Sequence, residues 1–393
     1  MDDCKQFRPT WAEIDLDHLA HNIKQFKNIL NKQTSIMAVV KADGYGHGAV
    51  EIANAAINAG ASSLAVSLAE EAIELRVAGI KAPILVFGYT EPSLAPLYKK
   101  YRLTPTIFDL TTAKAFSEQV KNSRDPLNVH LKIDTGMNRI GISPINAVDF
   151  IITVSKLTGL FVEGIYTHFA TADELDSYYF KKQQCVFNSI ISNCLDKKVS
   201  IPLIHAANSA AAIIDIGAHY NMIRLGISLY GSYPLHQYRY KTLHLLPVLN
   251  LKSKIIYLKE VRAGSPIGYG CTYITKYKSL IATVPIGYAD GYSRYFSNIG
   301  KVLVRGHLVP LVGRVCMDHI MIDVTNLKKV KIFDEVVIYG KQGDMQITVD
   351  EAANSIGTIS YELLCSIGKR VPRVYYQNGR IAGVRVFNFT SNN

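Results

Sequence analysis

Lys41 stands at the carboxyl end of an apolar, β-branched run, Ser35 to Val40, and Gly44, Gly46 and Gly48 follow it at alternate positions. Such a run reads as a fully buried strand. A lysine at its end is held out of bulk water and approached closely by backbone. Desolvation disfavours the ammonium and so favours a neutral, nucleophilic amine. An amine of that kind can form a Schiff base with an aldehyde, for which pyridoxal phosphate (PLP) is the expected cofactor. The plainer alternative is a solvated loop charge. A nucleotide phosphate loop is excluded, because the lysine precedes the glycines and no Gly-x-x-x-x-Gly-Lys-Ser/Thr order occurs.

Other polar residues follow runs that also read as strands. They are Lys132-Ile133-Asp134-Thr135-Gly136-Met137-Asn138-Arg139, Tyr166-Thr167-His168, His205-Ala206-Ala207-Asn208-Ser209 and Arg224-Leu225-Gly226-Ile227. Taken singly, His168 reads as well as a satisfied core histidine, Arg224 as an ion-pair partner, Ser209 as a helix cap and Gly226 as a tight turn. Together they supply what a phosphate needs: backbone N–H groups at Gly226 and Ile227, and hydroxyls from Ser209 and Tyr45. Arg224 is the candidate for the cofactor's ring nitrogen. A guanidinium stays charged and donates a hydrogen bond without readily protonating the ring. The electron sink is then weak, which favours proton exchange at Cα over transamination or elimination. Racemisation needs a base on each face of the planar intermediate. Lys41 can serve one face. Tyr269, between Gly268 and Gly270, can project to serve the other, though a surface tyrosine is its plain reading in a chain with 23 tyrosines.

These residues need a scaffold that brings strand ends together. Helix-period segments alternate with short apolar runs through the first two-thirds of the chain, from a helix at Leu19 to Leu30 (Asp17 as its cap) to a run at Met222 to Leu225. Eight strands, each but the last followed by a helix or helical turn, predict a closed parallel (β/α)8 barrel with chemistry at its carboxyl rim. A doubly wound open sheet is the runner-up. The segment Thr10 to Leu16 alternates like a strand, lies outside the eight and is expected to pair with the second domain. Texture changes near Gly231 to Leu246. Beyond it, Leu251 to Val261, Ser279 to Pro285, Lys301 to Val304, His307 to Val312, Met317 to Val324 and Glu335 to Gly340 read as strands, and Val349 to Ala353 and Ser360 to Ser366 as helices. The expected division is an α/β barrel domain over residues 8–235 and a mostly-β domain over residues 242–385.

Composition agrees with a folded enzyme of two domains. Of 393 residues, 48% are hydrophobic, which provides for a large core. The net charge of +11 is dispersed in short clusters such as Lys99-Lys100, so nucleic-acid binding is not expected. Six scattered cysteines lack metal-ligand spacing and read as free, mostly buried thiols in a reducing compartment. The start, Met1-Asp2-Asp3-Cys4-Lys5, has no apolar signal core, and no run reaches membrane-spanning length. A cytoplasmic protein without metal or membrane partner is the expectation.

From about Arg8 to Val374 the chain resembles the alanine racemases, a fold-type III family of PLP enzymes. The carriers are Ala38-Val39-Val40-Lys41-Ala42-Asp43-Gly44-Tyr45-Gly46-His47-Gly48, Asp134-Thr135-Gly136-Met137-Asn138-Arg139, Arg224-Leu225-Gly226-Ile227, Ile286-Gly287-Tyr288-Ala289-Asp290-Gly291-Tyr292 and Arg314-Val315-Cys316-Met317-Asp318. The resemblance implies a PLP-binding barrel and two-base interconversion of L- and D-alanine, supplying D-alanine for peptidoglycan. Lys41 would hold PLP and act on the D-isomer, and Tyr269 of a second subunit on the L-isomer. Tyr45, Ser209, Gly226, Ile227 and Tyr361 would hold the phosphate. Arg224, supported by His168, would face the pyridine nitrogen. Arg139 and the Met317 backbone would receive the substrate carboxylate. Lys132, often carbamylated in the family, would orient Arg139. Asn208, Tyr288 and Asp318 would support the site, in a homodimer whose active sites are shared. Gly268 and His319 depart from the family's usual serine and glutamine, which bears on the entrance corridor and on strictness for alanine. A broad-specificity or serine-preferring racemase is thus the alternative. A decarboxylase would want an acidic partner at the ring nitrogen, and a non-catalytic PLP carrier would lack the second domain.

Overall fold

The computed structural model describes residues 8–174, 176–234 and 243–386. Its first strand, β1 (Thr10–Asp15), leads into a helix, Leu16–Ile29, whose Leu19, Ile23 and Phe26 recur at helical spacing and are fully buried. Burial of each such side chain contributes about 1.5–3 kcal/mol. The cap is Asp15, not the expected Asp17: its carboxylate accepts the Asp17 and His18 amides, so the helix begins three residues earlier than apolar spacing alone indicates.

Eight parallel strands then close a barrel: β2 (Ser35–Val39), β3 (Ser63–Val66), β4 (Ile84–Val86), β5 (Thr104–Ile107), β6 (Leu127–Lys132), β7 (Leu160–Tyr166), β8 (Leu203–His205) and β9 (Met222–Leu225). Closure is the pairing of β9 with β2, Ser35 opposite Met222 and Ala38 opposite Leu225. Helices lie between successive strands and cover their outer faces, which is why β3, β4, β5 and β9 are buried throughout, polar Ser63, Thr104, Thr106 and Arg224 included.

The second domain is β-rich. It contains β10 (Leu249–Lys254), β11 (Tyr257–Val261), β12 (Pro266–Ile267), β13 (Tyr273–Ile274), β14 (Ser279–Val284), β15 (Lys301–Val304), β16 (His307–Pro310), β17 (Ile320–Asp323), β18 (Glu335–Gln342), β19 (Met345–Ile347), β20 (Arg373–Gln377) and β21 (Arg380–Arg385). The main sheet runs β16-β15-β18-β10-β1-β20-β21, with β19 on β18; β11-β14-β17 form a second sheet and β12-β13 a hairpin. As expected, β1 pairs outside the barrel, antiparallel to β10 and parallel to β20.

Some expectations need correction. Leu251 to Val261 is two strands, because the chain crosses from one sheet to the other at the fully buried Ile255; a continuous apolar run hides that crossing. The β20 and β21 strands and the β12-β13 hairpin were not anticipated. The cysteines are free but not mostly buried: among the described ones Cys185, Cys271 and Cys365 are exposed, Cys316 is half-buried and only Cys194 is buried. The expected domain limits at 235 and 242, and Cys4 with the rest of Met1 to Lys5, lie outside the described residues. Among the described residues, no helix is long and apolar enough to cross a membrane.

Candidate active site

A cavity of about 530 Å³ opens at the carboxyl rim of the barrel. Lys41, Tyr45, Lys132, Arg139, His168, Asn208, Ser209, Arg224, Gly226, Ile227 and Tyr361 all line it, each proposed from the sequence. The strands set this convergence, because every barrel strand delivers its carboxyl end to the same rim.

Lys41 stands two residues beyond β2 and opens a turn of unusual hand. Ala42, Asp43, Gly44 and Tyr45 have φ of 53°, 54°, 61° and 52°. Left-handed backbone costs about 1–2 kcal/mol per non-glycine residue. Contacts from elsewhere offset it. The Ala42 amide donates to Glu71 Oε1 at 2.6 Å, Asp43 is ion-paired with Arg385 of β21, and Arg373 of β20 donates to the Gly46 carbonyl at 2.9 and 3.0 Å. Gly46 has no room for a side chain: an added Cβ would lie 2.2 Å from the Leu364 carbonyl oxygen of the helix Ser360–Ser366, which also carries Tyr361. Burial, and next the charge of Arg139, lower the Lys41 pKa from its ordinary value.

On the phosphate side, Asn208 caps the short helix Ser209–Ile214 by accepting the Ala211 amide at 3.0 Å. Ser209 Oγ accepts the amides of Gly226 at 3.0 Å and Ser228 at 3.3 Å, which leaves its own proton free to donate. An added Cβ at Gly226 would come within 2.9 Å of the Tyr45 hydroxyl, so only bare backbone fits. The Tyr45 ring is 6.0 Å from that of Tyr361, and burial raises the pKa of both phenols, which keeps them protonated donors. These hydroxyl donors suit a phosphate in chemistry, and the missing side chain at Gly226 leaves it room; the Gly226 amide itself is engaged by Ser209 rather than free as expected.

Arg224, on β9, is buried and held through both terminal nitrogens. It donates to His205 Nδ1 at 3.0 Å, His168 Nδ1 at 3.2 Å, and the Thr167 and Ala206 carbonyls at 2.9 and 2.8 Å, with its guanidinium 5.4 Å from the centre of the Tyr166 ring. Burial lowers its pKa only to about 10, so it remains a cation at neutral pH. Burial and the Arg224 charge drive His168 and His205 well below their usual range, leaving them neutral acceptors. Lys132, at the end of β6, lies over the same Tyr166 ring at 5.6 Å, and burial with the Arg139 charge lowers it to about 7.

Four proposed residues lie elsewhere. Tyr269 in the β12-β13 turn is 71% exposed, Met317 52% and Tyr288 43%, and neither these nor Asp318 line the Lys41 cavity of their own chain. They are nonetheless organised. The Tyr288 and Ala289 amides donate to the Cys316 and Met317 carbonyls at 3.1 and 3.0 Å. Arg370 joins Asp318 to the buried Asp290, which also holds Arg8. The Arg314 guanidinium packs on Gly270 beside Tyr269. Sequence reasoning missed Ser67, Phe87, Gly88 and Ile140 in the cavity wall. The first three follow β3 and β4, so their places as strand-end residues were the available signal.

Two family models match the chain: the alanine racemase N-terminal domain over residues 14–234 and the alanine racemase C-terminal domain over residues 248–375. The chain is 45% identical to alanine racemase of Clostridium tetani over 97% of its length and 99% of the relative's, and 46% identical to that of Halothermothrix orenii over 94% and 97%. Among solved structures, alanine racemase of Clostridium difficile 630 superposes with a TM-score of 0.91 at 42% identity, covering 96% of this chain and 98% of that one. The Bacillus anthracis alanine racemase, solved with bound L-Ala-P, gives 0.89 at 39% identity over 96% and 97%.

Proposed function

This chain belongs to the alanine racemase family, and on that premise we propose that it interconverts L- and D-alanine with PLP held in the Lys41 cavity. The observation that carries this reading is Arg224. The guanidinium stays charged and spends its other donors on fixed carbonyl and imidazole acceptors. It therefore offers the cofactor's ring nitrogen a hydrogen bond and no readily released proton. Bound PLP supplies an aldehyde for the amino acid's nitrogen and a ring that draws electron density from Cα. With that draw limited, returning the proton to Cα is favoured over competing outcomes.

The chain's own groups then divide the work. Tyr45, Ser209, Tyr361 and the backbone at Gly226 and Ile227 hold the phosphate, with Asn208 fixing the helix start. The Lys41 amine, already desolvated, moves the Cα proton on the face used by D-alanine. Tyr269 of a second copy moves it on the opposite face. Arg139 and the Met317 backbone receive the substrate carboxylate, and Tyr288 with Asp318 shapes the approach. Lys132 has a substantial neutral population near pH 7. Its amine can therefore take up carbon dioxide as a carbamate, an anion to pair with Arg139. The enzyme acts as a homodimer in the cytoplasm and supplies D-alanine for peptidoglycan. The second reading, a broad or serine-preferring racemase, is favoured by Gly268 and His319 near the entrance.

The test is a panel of L-amino acids incubated with the purified, PLP-supplemented protein, with chiral analysis of products. L-Alanine should racemise fastest, and Lys41→Ala should abolish both activity and the visible absorbance of the bound cofactor. Normal racemisation by that variant, or serine as the preferred substrate, would overturn the corresponding part of the reading.

A further inference from the structure

A line of hydrogen bonds runs beneath Arg224 through the barrel interior. Arg224 Nη1 lies 3.0 Å from His205 Nδ1, His205 Nε2 lies 2.9 Å from His130 Nδ1, and His130 Nε2 lies 3.3 Å from Glu163 Oε2. The roles along it follow from chemistry. A guanidinium only donates, so His205 Nδ1 accepts and carries no proton. The neutral His205 must then hold its proton on Nε2 and donate to His130 Nδ1. His130 in turn holds its proton on Nε2 and donates to the Glu163 carboxylate, which only accepts. One direction satisfies every member.

The local backbone is built around this line. A bulge interrupts the β6-β7 pairing, with Val129 opposite Val162 but His130 opposite Gly164, so Glu163 is the extra residue beside the His130 ring. Gly164 leaves space for that ring: an added Cβ would lie 2.8–3.0 Å from three of its atoms. Asn128 donates to the other Glu163 oxygen at 2.8 Å, fixing the carboxylate. His205 stacks on Tyr166 at 4.8 Å with the rings 6° from parallel. Glu163 itself faces a hollow of about 220 Å³ lined by strand beginnings, including Ser35, Ser63 and Thr104, at the barrel end opposite the Lys41 cavity.

We propose that Glu163 is a positioning residue for the racemase reaction, acting through His130 and His205 to hold Arg224 in place and fully supplied with an acceptor. The proposal rests on the functional reading above, in which Arg224 meets the cofactor. Reversing the line would set an N–H of His205 against an N–H of Arg224. The carboxylate, having no proton to give, excludes that arrangement.

Two measurements test it. In the cofactor-free protein labelled with ¹⁵N-histidine, His130 and His205 should both be protonated at Nε2. Glu163→Gln keeps the size but offers an amide that donates as readily as it accepts, and a second His130 tautomer should appear. In the PLP-loaded enzyme that variant should lose roughly tenfold in kcat with KM for alanine little changed, since Arg224 touches the ring and not the substrate. Glu163→Asp should recover most of the loss. A proton on His205 Nδ1 in the parent, an unaltered kcat in Glu163→Gln, or a loss confined to KM would each overturn the proposal. If the parent racemises nothing, the functional reading falls, while the tautomers still decide whether the line exists as described.

Discussion

Lys132 is buried under an aromatic ring with two guanidinium groups nearby. Burial, then the charges of Arg139 and Arg224, bring its pKa from an ordinary 10.5 to about 7, against a partial offset from Asp134. The sign of the resulting pH dependence follows. Between about pH 7 and 10.5 the unfolded chain keeps this proton and the folded chain sheds it, so stability rises with pH across that window. Below pH 7 both states are protonated and the penalty is constant. Without cofactor and in carbon dioxide-free buffer, urea midpoints should climb over the window, and Lys132→Met should remove part of the climb. Added bicarbonate should leave the climb in the parent in place, because a carbamate, like the neutral amine, lacks the proton that the unfolded chain keeps. Parallel curves for parent and variant would show that Lys132 keeps its ordinary pKa. The residue type was legible in the sequence beside Asp134 and Arg139. Its pKa was not, because it depends first on burial in the closed barrel, then on Arg139, and then on Arg224, which reaches Lys132 only when β9 completes that barrel.

At the scale of elements, the turn after β2 shows how the second domain serves the first. Gly44, Gly46 and Gly48 mark the turn in the sequence, but the packing of Gly46 against the Leu364 carbonyl is visible only in the fold. The left-handed conformation of Ala42 and Asp43 was not expected. Alanine rarely adopts it, and the ion pair beside it comes from Arg385, 342 positions away. Burial pushes the Asp43 carboxyl up, but Arg385 outweighs it and the net shift is downward. Arg385→Met should destabilise the protein by about 1 kcal/mol, since both partners are partly solvated. It should also speed amide exchange across residues 42–48 while leaving the helix Leu110–Val120 unaffected. Uniform exchange changes, or none, would mean that the hairpin β20-β21 does not hold the turn.

Over the whole molecule, the proposed bases sit in separate places. Lys41 lies within the barrel rim and Tyr269 on an exposed turn of the other domain. A shared site predicts complementation. Lys41→Ala and Tyr269→Ala proteins should each be inactive alone. Refolded together in equal amounts, they should regain about a quarter of the parental sites, because half the dimers are mixed and each mixed dimer has one intact pair. No recovery on mixing would place both bases within a single chain. The tie between domains is already visible within one chain: β1, first in sequence, lies between β10 and β20 of the far sheet.

The amino-acid sequence by itself determined the eight-strand alternation, the β texture of the second domain, and the strand-end residues of one cavity, because each of those follows from local periodicity and from strand ends sharing a rim; Tyr361, on a second-domain helix, was reached only through the family resemblance. Tertiary structure alone decided what those residues are. Burial and charges brought from distant strands leave Lys132 near neutrality and His168 and His205 unprotonated. A bulge sets Glu163 against His130, and Arg385, from the last strand, pairs with Asp43 in its left-handed turn. Field, solvation and strain are properties of the assembled packing, and no window of neighbouring residues contains them.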